Sequence, residues 1–281
     1  MNEKWLITPG ETRTISIEQA RKVKASLAGG QIDVIAHDEP HIYLEVHSVT
    51  GHDLRIECDG KQLTIDHPQT SWDNILRVFR SFTSDSPRAH ISLAVPRTTA
   101  LTLGVVSAQA LISGLHCDAR LNAVSGELII DHHTGDIAVN TVSGDVHVRA
   151  ATGTLLVNAV SGDVTATGQL RRITADTVSG AVLIDAVGTV DSVSINTISG
   201  ASTVQLDNDY AANYVLRTMN GRITVDGSEQ NASGPTSYTA QKGELAGSFV
   251  DLRANSVTGA ITVLRRAADT AEPTTTVTEE N

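Results

Sequence analysis

The sequence predicts an all-β protein, a single parallel β-solenoid (β-helix) with coils of about 18–20 residues. Three observations carry this expectation. The tripeptide Val-Ser-Gly recurs at a spacing of 18, the residues between its copies alternate apolar and polar, and only 3% of the 281 residues are aromatic against 40% hydrophobic. The core must therefore be aliphatic, and β-branched residues beside turn glycines favour strands.

The repeat runs Val124-Ser125-Gly126, Val142-Ser143-Gly144, Val160-Ser161-Gly162 and Val178-Ser179-Gly180. Ile198-Ser199-Gly200, Met219-Asn220-Gly221 and Val257-Thr258-Gly259 continue it less regularly. A fixed period of this length is the mark of stacked units, each unable to bury its apolar face alone. Half a period away, Thr134-Gly135 and Thr152-Gly153 supply a second turn in each coil.

Alternate residues of a strand point to opposite faces. Two positions past the turn glycine stand Leu128, Val146, Val164, Val182, Ser202, Ile223 and Ile261, and four past stand Ile130, Val148, Ala166, Ile184, Val204, Val225 and Val263. These two columns are expected inside. The mixed column between them, with His147 and Thr165, is expected outside. A further column reads Asn122, Asn140, Asn158, Asp176 and Asn196, preceded by Gly104 and followed by Arg217 and Asn255. Amides stacked once per coil can each donate and accept, which predicts a structural hydrogen-bonded ladder. The alternative is that Asn favours the bend before each turn.

The iterated Val-Ser-Gly-Asp-Val of Val142–Val146 and Val160–Val164, within Leu103–Arg265, resembles the bacterial putative-adhesin family of β-strand-repeat domains of unknown function. The segment Lys22–Val34 is similar to that family's first coil. The resemblance implies the solenoid fold and brings no catalytic residues with it.

Residues 1–100 read as an N-terminal β region that starts or caps the solenoid, 101–266 as the regular solenoid, and 267–281 as a disordered tail too polar to bury. Within the first region, Trp72, Ile75, Leu76, Phe79 and Phe82 are spaced for one face of a short helix over 72–82. A solenoid must blunt its open ends, and this helix is expected to cap one. The alternative is an envelope-associated protein touching the membrane through the same helix, with Arg77 and Arg80 at the headgroups.

Lys and Arg number 21 and Asp and Glu 32, a net charge of −11 that repels a phosphate backbone and argues against nucleic acid. The first residues lack the apolar stretch of a secretory signal, and no run approaches the roughly 18 apolar residues of a membrane span. Cys58 and Cys117 lack C-x-x-C spacing. The expectation is a cytoplasmic protein with reduced thiols.

No cofactor, metal site or small-molecule substrate is expected. Glu127, Asp145 and Asp163 follow turn glycines and stack as carboxylates, but one glycine per half-period is too few for a calcium-binding β-roll loop. The pairs His37 with His41, His132 with His133 and His116 beside Cys117 match no metal-ligand spacing. A polysaccharide-active β-helix enzyme is the rival from another class. It would need paired carboxylates and aromatic platforms, and the repeat region offers few aromatics and no nucleophile motif. The preferred reading is a non-enzymatic scaffold or interaction module that binds a protein partner, or itself, along a β face.

Overall fold

The computed structural model describes residues 2–18, 20–67, 87–207, 211–230, 234–243 and 249–266. Among them the secondary structure is entirely β, in 22 strands. The expected helix at 72–82 and the expected tail at 267–281 lie outside the described residues.

The centre of the molecule is a stack of two-strand coils, each layer parallel to the next. Leu128, Val146, Val164 and Val182 are successive Cα partners, so an offset of 18 in sequence becomes one step in space. Both expected inner columns are buried, from Leu128 to Ile261 and from Ile130 to Val263. The column between them is partly or fully exposed. Each buried Val, Leu or Ile contributes about 1.5–3 kcal/mol, so the aliphatic columns supply most of the stabilisation between layers.

The turn glycines have a steric cause beyond conformational freedom. A Cβ on Gly162 would lie 2.4 Å from the carbonyl oxygen of Gly144, and one on Gly180 would lie 2.1 Å from that of Gly162. Backbone rests on backbone at this corner, and no side chain fits between layers.

The order of layers departs from the order of sequence at both ends. Phe249–Ser256 pairs in parallel with Ser192–Ser199 on one side and with Ala211–Thr218 on the other. Its continuation Ile261–Arg265 lies likewise between Ser202–Leu206 and Ile223–Val225. The last coil is thus inserted beneath the coil that precedes it. At the other end, Lys22–His37 lies between Ala100–Ser113 and a layer formed by Gln62–Asp66 and Arg88–Pro96. Ten parallel layers result, and nine steps of about 4.8 Å make a stack about 43 Å long.

The expectation of a single parallel solenoid needs correction, because six ladders among the described residues are antiparallel and all lie at the ends. Ile42–Thr50 covers Arg88–Pro96 and is itself covered by Arg13–Ile17, while Leu54–Asp59 covers Gln62–Asp66 and is covered by Asn2–Ile7. At the far end, Thr236–Lys242 covers Ala211–Thr218, and Ser228–Gln230 covers Ile223–Val225. An open parallel layer offers a full row of unpaired N–H and C=O groups, and short reversed strands satisfy that row without continuing the repeat.

Two arginines fasten the inserted coil. Arg266 reaches the carboxylates of Asp185 and Asp207 in earlier layers. Arg265 donates to the hydroxyl of Tyr214, a fully buried residue of the outer layer, from Nε at 2.9 Å and from Nη2 at 2.6 Å.

Candidate interaction surface

The outward side chains of the strand before each Val-Ser-Gly turn form two columns, amide and aliphatic, two residues apart and therefore on one face. In the amide column Asn140 Nδ2 donates to Asn122 Oδ1 at 3.0 Å, and Asn158 Nδ2 donates to Asn140 Oδ1 at 2.9 Å. Asn196 Nδ2 donates to Asp176 Oδ1 at 2.7 Å, and Asn255 Nδ2 donates to Asn196 Oδ1 at 2.9 Å. All four of these bonds run toward the N-terminal end of the stack. Asp176 carries no side-chain N–H, so the Asn158 carbonyl beside it receives no amide hydrogen bond from that neighbour. In space the column ends on Arg217, directly beside Asn255.

The aliphatic column is the first residue of each repeat. Val142, Val160, Val178, Ile198, Val257 and Met219 are 40–60% exposed and lie one layer apart, whereas Val106 and Val124 at the start of the same column are buried. This stripe is the feature that sequence reasoning passed over. Its direction was available from parity, because Asn and Val two positions apart in a strand must share a face.

Toward the C-terminal end the two columns become the floor of a groove of about 610 Å³. Asp176 lies at one end and Arg217 at the other, Ile198 and Val257 line it, and Pro235 and Thr236 stand as its wall. Thr236 opens the reversed strand that covers the outermost layer, and Pro235 directly precedes it.

The carboxylates of the turn have a backbone task. The Asp163 N–H donates to Asp145 Oδ1 at 2.9 Å, and the Ala181 N–H donates to Asp163 Oδ1 at 2.7 Å. Each aspartate thus satisfies the amide of the following layer at a corner where no strand partner exists. Glu127 lies 3.7 Å from His147 Nε2. Among the described residues no three His, Cys, Asp or Glu side chains converge as metal ligands.

The histidines are scattered. His132 is exposed, with φ of 49° and Nδ1 2.8 Å from the Asp131 carboxylate, while its neighbour His133 is buried. Neither ring nitrogen of His133 has a hydrogen-bond partner, the Cys117 backbone lying close without meeting hydrogen-bond geometry. Burial holds the His133 pKa below its ordinary value, against the pull of Asp118. Burial also lowers His67, whose Nδ1 lies 3.3 Å from the Asp53 carbonyl. His37 Nδ1 accepts the Glu39 N–H at 3.0 Å in the turn before His41. Cys58 and Cys117 are free, and burial raises the Cys58 thiol. No helix among the described residues is long and apolar enough to cross a membrane.

Stacked coils bearing an amide spine and an aliphatic stripe define a β-repeat protein whose distinctive chemistry lies on its outer face. The family model Toastrack DUF4097 matches residues 22–264, and the chain belongs to that family. No curated protein matches the sequence. Among solved structures, the chain is similar to a "putative cell adhesion protein" from Clostridium sporogenes at 12% identity, with 95% of this chain and 99% of that chain covered and a TM-score of 0.30. It is similar to a "putative adhesin" from Bacteroides fragilis at 10% identity, 91% and 98% coverage and a TM-score of 0.39. A third, a "putative adhesin" from Parabacteroides distasonis, has 13% identity, 90% and 96% coverage and a TM-score of 0.40.

Proposed function

We propose that this chain is a non-enzymatic β-solenoid scaffold that binds a protein partner along its aliphatic stripe. The carrying observation is the run of six exposed side chains from Val142 to Met219, one per layer, on coils held rigidly in register. A contiguous apolar strip on a chain of net charge −11 is retained against a cost in solubility, and such patches mark interaction sites. A stiff stack presents the strip with little ordering entropy to lose on binding. The free cysteines, one of them buried, suit a reducing compartment, so a cytoplasmic setting belongs to this reading.

The test is comparative capture from an extract of the native host, using the full chain and its Val160→Asp and Ile198→Asp variants. Both positions are exposed, so the variants keep the melting temperature of the parent. The reading expects a specific protein retained by the parent and lost from both variants. Equal retention on all three, or none on the parent, contradicts it.

A further inference from the structure

Two positions of the amide column carry charge, Asp176 and Arg217, and both line the groove. Asn at position 176 would complete the ladder by donating to Asn158, as every neighbouring amide does. The column therefore gives up a hydrogen bond at the very position where the groove begins, and departures from local consistency concentrate at functional sites. Asp176 accepts from Asn196 through one carboxylate oxygen, which leaves the other free of that bond, and its register partner on the opposite side is Asn158. The opposite end holds the Arg217 guanidinium, exposed and making no ion pair or side-chain hydrogen bond among the described residues.

Asp176, Asn196, Asn255 and Arg217 are successive register partners. Three steps of about 4.8 Å separate the two charges by about 14 Å. An extended peptide advances about 3.4 Å per residue, so about four residues span that distance, and residues i, i+2 and i+4 point the same way. Ile198 and Val257 lie midway. The lining includes no aromatic side chain, which argues against a sugar.

We infer that the groove binds an extended peptide segment of another protein with a basic side chain at Asp176, an acidic one four residues away at Arg217, and an aliphatic one midway on Ile198 and Val257. The segment crosses the layers along the stack axis, in either chain direction. This inference rests on the scaffold reading and gives its partner a chemistry.

The experiment is selection of a random heptapeptide display library on the full chain, followed by affinity measurement of the selected peptides as synthetic molecules. The expected consensus is basic, any, aliphatic, any, acidic, or its reverse. Asp176→Asn and Arg217→Gln each weaken the selected peptides at least tenfold, whereas Arg120→Ala, on the same face far from the groove, leaves affinity within twofold. Asp176→Asn restores the ladder, so lost binding in that variant is not lost folding. No enrichment, a consensus without paired charges, or affinities indifferent to both groove variants overturns the inference. A parent that is dimeric by light scattering and becomes monomeric in both groove variants also overturns it, because a second copy then fills the groove. Failure here with stripe-dependent capture intact removes the peptide assignment and leaves the scaffold reading standing, whereas failure of the capture itself removes that reading.

Discussion

Asn255 donates its side-chain amide to Asn196, a residue 59 positions earlier, at 2.9 Å. In a solenoid that stacked strictly in sequence order, Asn196 would meet Arg217 instead. The hydrogen bond exists because the last coil fills a slot between the two coils before it, and it carries the amide column across that join. A consequence for assembly follows. The layer 211–225 cannot reach its final neighbours until 249–265 has entered beneath it.

The gap beside Asp176 predicts a stabilising substitution. Asp176→Asn supplies the donor that Asn158 lacks and removes a charge from a column of amides, for a gain of about 0.5–1.5 kcal/mol. Thermal melting checks it, and a Tm rise of a few degrees is expected. The reverse change, Asn140→Asp, should lower Tm by a similar amount.

The glycine column predicts the opposite extreme. Gly162→Ala places a Cβ 2.4 Å from the Gly144 carbonyl oxygen at a φ of 118°, where side chains are strained whatever the space. A loss of about 3 kcal/mol or more is expected, read from urea unfolding. Gly188→Ala is the control, since it shares the positive φ but meets nothing within 4 Å, and its loss should be the strain alone.

Much of this architecture is readable in the sequence because a period of 18 places like residues one step apart, so Leu128, Val146 and Val164 identify the interior by themselves. The order of the last layers is not readable that way. Gly221 and Gly259 both fit the glycine column, and only the structure shows a Cβ of Gly259 meeting Gly200 while one of Gly221 meets Gly259. The end caps are equally hidden, because a short alternating strand such as Arg13–Ile17 has the same pattern whether it runs parallel or antiparallel. The Asn column is visible from spacing alone, but the common direction of its hydrogen bonds is not. The groove escapes notice because Pro235 and Thr236, its wall, come from a segment outside the repeat.

Acid should weaken the fold through His133 and His67. Burial lowers both below the ordinary 6.5, so the folded state holds them neutral while the unfolded chain takes up protons. Well above pH 6.5 neither state is protonated and their contribution is complete. As pH falls through 6.5 toward the depressed folded values, stability drops, by at most about 1.4 kcal/mol per pH unit for each histidine. Urea midpoints should therefore be level from pH 8 to 7 and decline from 6.5 to 5, with a shallower decline in His133→Gln.

The inserted last coil, which creates the join in the amide column and the middle of the groove floor, is tested most directly by disulfide trapping. Ser194 and Arg253 are register partners in adjacent layers, whereas Ser194 and Val215 are two layers apart, about 10 Å. Cα atoms must lie within about 7 Å for a disulfide to close. In a Cys117→Ser background, Ser194→Cys with Arg253→Cys should crosslink on mild oxidation of the native protein, and Ser194→Cys with Val215→Cys should not. Crosslinking of 194 to 215 with none between 194 and 253 would contradict the account, because it would mean that the coils stack in simple sequence order.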